Sequence, residues 1–229
     1  VAEAYINRWT ANRPDDIDNQ IRMVQAMLRI PNSQSLKNWI IVDHLVNTGS
    51  DVVMQGDILF QFIEYITPLL NSDDAVHLAR VVEIRDGNLR WIAFEKLLQL
   101  MGPPGLRLAL ESLPDAAVWG RWAGEVHPDG LARAATYMCG RPIRELGIPA
   151  RDIMTEMLSA DHIVVQALAI RCLGEIGNET TVAALEALQR NDTPVPGWAG
   201  GEFTEEGEPI NKTIGQLATE AIEALQTEE

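Results

Sequence analysis

The chain has 229 residues, 46% of them hydrophobic and 22% charged, with 33 acids against 18 bases and a formal net charge of −15. Such an acidic surface repels phosphate backbones, which excludes sequence-independent nucleic-acid binding, and no apolar run reaches the roughly eighteen residues needed to cross a bilayer. No basic stretch followed by an apolar one opens the sequence, so it reads as cytoplasmic; a start at Val1 leaves room for an upstream signal, an anchor or a longer parent chain.

Strand-like alternation is scarce, and apolar residues fall mostly at helical spacing. Ile17, Ile21, Val24, Met27 and Leu28 share one helical face, with Asp15 and Asp16 as caps and Pro31 as the stop. Leu36, Ile40, Val42, Leu45 and Val46 form a second stripe ending at Gly49, and 52–70 a third, limited by Pro68. A fourth, 75–84, opens at Asp73 or Asp74 and breaks at Asp86-Gly87-Asn88. Segments 89–101 and 106–113 form the first clear helix pair, joined by Gly102-Pro103-Pro104-Gly105, with Gly ending one helix and Pro opening the next. The stretch 114–130 is irregular. Helices follow over 131–139 and from Pro149 or Ala150 to Leu158, then a second clear pair over 163–176 and 181–188. A last helix lies within 212–226, after a Pro-, Gly- and Glu-rich loop insertion at 191–211.

Part of this pattern repeats. A displacement of 75 residues superposes Gly102 on Gly177, Leu98 on Leu173, Met101 on Ile176, Ala109 on Ala184, Leu110 on Leu185 and Leu113 on Leu188. Seventy-five residues is about two units of the ~37–40 residues expected for paired-helix repeats, with 131–158 as the intermediate unit. A displacement of 49 matches Ala169, Cys172 and Leu173 to Ala218, Ala221 and Ile222, the excess falling in the insertion. Stacked helix pairs bury faces that no single hairpin can bury, and they present an extended surface for binding.

Residues 163–188 resemble the HEAT-like repeat of the bacterial kind. Ala169, Leu173-Gly174, Ile176-Gly177, Leu185 and Leu188 match its run of small residues, Leu-Gly, Ile-Gly and Leu-x-x-Leu. Residues 89–113 match less closely, because Gln99 stands at the Leu-Gly position, and 212–226 match as a first helix only. The resemblance implies an all-α, right-handed α-α superhelix (a solenoid) of five to six helix pairs. It would form a single domain over 1–229, with an irregular helical part at 1–85 and the repeats at 86–229. It also implies a protein-binding role and carries no catalytic residues.

None of His44, His77, His127 and His162 is followed by Glu, as iron-binding hydroxylases of this architecture require. No zinc-protease helix motif, phosphate-binding P-loop, serine-hydrolase elbow or calcium loop is present. No cofactor or metal is therefore expected. Asp15-Asp16-Ile17-Asp18 reads as an acidic helix start, His162 as part of a cap, and Cys139 and Cys172 as buried free thiols. Asn178, Asn191 and Asn211 each open a glycosylation-type triplet, at turns where Asn and Thr are favoured anyway.

Tryptophan is the remaining signal. Trp39 and Trp91 lie in apolar stripes and read as core. Trp119 and Trp122 share a helical face near Arg121 and Arg133, and Trp198 lies in the insertion beside Glu202, Glu205 and Glu206. Trp119, Trp122, Trp198, Glu202, Glu205 and Glu206 are the candidate contact residues of a non-catalytic scaffold or adaptor that takes a protein or peptide of basic or polar character. The alternative is an enzyme on the same repeat, such as a chromophore lyase or isomerase, with a pocket in 114–130 around Trp119, Trp122, His127 and Asp129.

Overall fold

The computed structural model describes residues 70–83, 87–113, 141–195 and 212–227. Among these residues, eight helices and one two-residue strand pair make up the regular structure, so the described chain is all-α. The chain divides into two compact units, residues 1–100 and 101–229.

In the first unit, a 3-10 turn at Ser72–Asp74 leads into helix α1 (Ala75–Val82). Asp74 stands at the N-cap of α1, as expected, while the side-chain cap belongs to the preceding 3-10 turn. Asn71 Oδ1 accepts from the Asp73 N–H at 2.9 Å, and the buried Asp74 carboxylate accepts from the Asn71 N–H at 3.0 Å. The two bonds form a reciprocal capping box, which satisfies donors that a helix start leaves open. Leu78, Val81 and Val82 of α1 are buried, as are Phe94, Leu97 and Leu98 of helix α2 (Gly87–Met101). Gln99, the residue that departs from the repeat pattern, is exposed. It accepts from Lys96 Nζ at 3.3 Å and donates to Glu95 at 3.1 Å. Partial burial holds the Lys96 ammonium below its ordinary pKa, and the neighbouring Glu95 opposes that shift.

The second unit contains α3 (Pro103–Glu111), α4 (Arg141–Leu146), α5 (Ile148–Met157), α6 (Ile163–Ile176), α7 (Glu179–Glu186) and α8 (Ile214–Thr227). Helix α5 packs on α3, α4 and α6, α6 packs on α8, and α7 packs on α8. The short α4 is the element that the sequence pattern missed. Pro142, one residue into it, is compatible with a helix start but reads as a breaker in a six-residue helix. Helix α4 packs on α5, and the helix expected over 131–139 lies outside the described residues.

The spacing of the pairs differs from the equal units expected. Gly102 and Gly147 share one conformation, φ +62° and ψ −134° against φ +61° and ψ −131°, and each is followed by Pro at the next helix start. Gly177 has φ −68° and ψ −175°, an extended cap that any residue can adopt. The backbone equivalent of Gly102 is therefore Gly147, 45 residues on, and Gly177 lies 30 residues beyond that. Positive φ is what makes glycine necessary at Gly102 and Gly147, since an L side chain there would be strained. Their carbonyls accept from Leu106 at 3.1 Å and from Ala150 and Arg151 at 3.1 and 3.2 Å, which closes the first turn of α3 and of α5.

Helix α6 is the most buried element of this unit: nine of its fourteen residues are buried. Its Gly174 lies so close to α8 that an added Cβ would sit 3.1 Å from Ala221 Cα and 3.2 Å from Ala221 Cβ. Ala169, Cys172 and Leu173, and their counterparts Ala218, Ala221 and Ile222, are all buried, on helices that pack against each other. The outer positions of α8 are Gln216, Glu220, Glu223, Ala224, Gln226 and Thr227, without a large apolar side chain. The N-terminus of α8 is held by the turn after α7. Gly215 N–H donates to Asn191 O at 2.9 Å, and Ile214 N–H donates to Thr193 O at 3.0 Å.

Leu173→Ala, at a site with no exposure, is expected to lower unfolding stability by ~2–5 kcal/mol in urea titration. Gly215→Ala would set a Cβ 2.3 Å from the Gln189 carbonyl oxygen. It is expected to cost at least ~2 kcal/mol by the same measurement, whereas Gln226→Ala, exposed on the outer face of α8, stays within ~0.5 kcal/mol.

Candidate functional site

Trp119, Trp122, Trp198, Glu202, Glu205 and Glu206 all lie outside the described residues, as do Arg121, His127, Asp129, Arg133 and Cys139. What the structure does describe of the insertion is its two roots. Pro194–Val195 (β1) pairs antiparallel with Lys212–Thr213 (β2), Pro194 opposite Thr213 and Val195 opposite Lys212. Val195 is buried and β1 packs on α6. The nearly buried Lys212 ammonium pairs with Glu220 of α8 at 2.7 Å. Both ends of the insertion are therefore tied to the α6–α8 layer, by apolar burial on one strand and an ion pair on the other.

Among the described residues, an open cleft of about 440 Å³ lies between α3 and α5. Its lining is mostly apolar: Pro103, Pro104 and Leu108 from α3 and Ile153 from α5. Arg107 and Glu111 supply the polar groups. The 45-residue displacement explains the geometry, because it places Leu108 in register with Ile153 and Gly102 with Gly147. Each glycine turn is followed at once by the next helix, α3 in one case and α5 in the other. Ile148, at the start of α5 and outside this lining, is 63% exposed.

The charges at this cleft form a short chain. The Arg107 guanidinium donates to Glu156 of α5. That hydrogen bond and charge, with the charge of Glu111, hold Arg107 above its ordinary pKa. The Glu111 carboxylate acts on Arg107 through its charge alone and makes no hydrogen bond among the described residues. A second ion pair links neighbouring layers, Arg144 to Glu175 at 2.9 Å, and Arg151 Nε caps the end of α6 by donating to Ile176 O at 2.9 Å. These groups are accessible, so the pairs set register more than they add stability.

His162, read as part of a cap, is one. Its Nδ1 accepts from the Val165 N–H at 3.4 Å and its Nε2 lies 3.1 Å from Leu113 O. With Nδ1 accepting, the proton belongs on Nε2, which donates to the carbonyl. The ring thus joins the start of α6 to the end of α3. Asn178 and Asn191 are also used locally: Asn178 Oδ1 accepts from Thr181 N–H at 3.2 Å, and Asn191 Oδ1 from Thr193 N–H at 2.9 Å. Cys172 is a buried free thiol. Among the described residues, no group of three His, Cys, Asp or Glu side chains could hold a metal ion. No described helix is long and apolar enough to cross a membrane.

No family model, curated protein or solved structure matches the chain. His162→Ala removes both the cap and the link to Leu113, and a loss of ~1–2 kcal/mol is expected in thermal or denaturant unfolding. His162→Asn, which can cap but is too short to reach Leu113, is expected to recover part of that loss.

Proposed function

We propose that the chain is an α-solenoid of the HEAT-like kind, right-handed, acting as a non-catalytic scaffold that binds a polypeptide partner. The observation that carries this reading is the open, apolar-floored cleft between α3 and α5, each of which opens at a positive-φ glycine turn. Two further features support it. The 45 residues between the matched glycine turns fall within the ~40–47 of HEAT-type helix pairs. Helices α3, α5, α6 and α8 also pack in succession, so each relies on its neighbours for burial. Binding on such a surface depends on shape along paired helices, with the net negative charge favouring a basic or polar partner.

The insertion is the second contact region in this reading. Its roots are fixed on the α6–α8 layer, and its sequence offers Trp198 with Glu202, Glu205 and Glu206, an aromatic anchor among acids.

A peptide array probed with the labelled protein tests the reading. Peptides retained by the wild type are expected to lose retention on Leu108→Asp, and on the combined change of Trp198→Ala with reversal of the three glutamates. Retention unchanged by either variant would remove both surfaces from the proposal. A chain that retains no peptide but co-purifies with a small coloured molecule would favour the chromophore-handling alternative.

A further inference from the structure

We infer that the α3–α5 cleft selects a short extended segment carrying an aliphatic side chain next to a lysine or arginine; the inference rests on the scaffold reading and adds the chemistry of the partner. The apolar part follows from the floor. Leu108 and Ile153 line the cleft together with the rigid rings of Pro103 and Pro104, which present no backbone N–H that a dry contact would leave unsatisfied. About 440 Å³ accommodates one or two side chains of leucine size.

The cationic part follows from where the acids sit. Glu111 is the last residue of α3, and Glu156 is the last but one of α5. Helix C-termini carry the negative end of the macrodipole, where cations are favoured and carboxylates disfavoured. Neither helix has a basic residue in its last turn. One guanidinium, Arg107, serves both carboxylates, and its hydrogen bond goes to Glu156. The Glu111 side chain is left with that charge contact and no hydrogen bond among the described residues, at an exposed helix end, beside an apolar floor. A cation delivered there meets Glu111 and the carbonyl end of α3 together. The opposite end of the cleft does not suit an anion. Proline at the first two positions of α3 removes two of the N–H groups that a helix start would offer to a phosphate or carboxylate.

The test uses the full chain, isotope-labelled, with three capped hexapeptides of alternating leucine and lysine, leucine and glutamine, or leucine and glutamate. The leucine–lysine peptide is expected to shift the amide resonances of Leu108, Glu111 and Ile153. Its affinity should fall about two- to fivefold on Glu111→Gln, while the distant Glu223→Gln leaves it unchanged. Glu111→Gln should hold or raise the melting temperature, since it removes an acid from a helix C-terminus. Equal binding of the lysine and glutamine peptides at the cleft would overturn the cation preference and leave the scaffold reading standing. Equal weakening by Glu111→Gln and Glu223→Gln would assign the binding to overall charge and overturn the inference, as would a lowered melting temperature for Glu111→Gln. No shift at the cleft with any of the peptides would remove the cleft as a docking surface, and the reading built on it would fall too.

Discussion

The contact between α6 and α8 is the constraint on which the rest of the second unit depends. The two backbones approach so closely at Gly174 and Ala221 that a single methyl group on the glycine would press on the facing main chain. Close approach brings the flanking Leu173, Cys172, Ala218 and Ile222 into a layer with little or no exposure. Fully burying one leucine is worth roughly 1.5–3 kcal/mol, so this layer outweighs the exposed ion pairs elsewhere. Helix α8 can reach this position because Gly215 passes under the carbonyls of Gln189 and Asn191 without a side chain in the way.

That one packing decision has consequences at both surfaces considered for binding. On one side, burying Val195 against α6 and pairing Lys212 with Glu220 ties down both ends of the insertion. A loop that is long in sequence thereby starts and ends at neighbouring residues of one two-residue ladder. On the other side, α6 supports α5, and α5 supplies Ile153 and Glu156 to the cleft with α3. His162 and Arg151 lock this arrangement by taking up helix-end groups that would otherwise face other elements unpaired, at Leu113 and Ile176. Polar side chains here finish helix ends and set register, while apolar burial holds the layers.

Several of these elements were legible from residue order. Helix α6 begins and ends where the pattern placed it, because its start has a capping side chain and its end a Leu-Gly-x-Ile-Gly run. The matched triplets Ala169, Cys172, Leu173 and Ala218, Ala221, Ile222 mark the faces that meet, since small residues at helical spacing signal close approach. The glycine match was only partly legible. Gly102 and Gly177 occupy similar places in similar strings, but only Gly102 and Gly147 have positive φ. The signal was present as Gly-x-Pro at both sites, and the short helix α4 ahead of Gly147 obscured it. The aromatic and acidic residues singled out for binding lie outside the described residues, and the cleft involves none of them.

Composition and periodicity determined that this chain is helical, acidic and built of helices that need one another, because those properties belong to local spacing and summed charge. They also located the turns and the insertion, since Gly, Pro and Asn act within a few residues of themselves. Only the tertiary structure decided which glycines are equivalent, that the insertion is rooted on α6 and α8, and that Leu108 and Ile153 share a cleft edged by Arg107, Glu111 and Glu156. Those are contacts between residues 17 to 49 positions apart, such as Arg107 with Glu156 or Val195 with Lys212. Residue order encodes such contacts only through the packing of the helices between them.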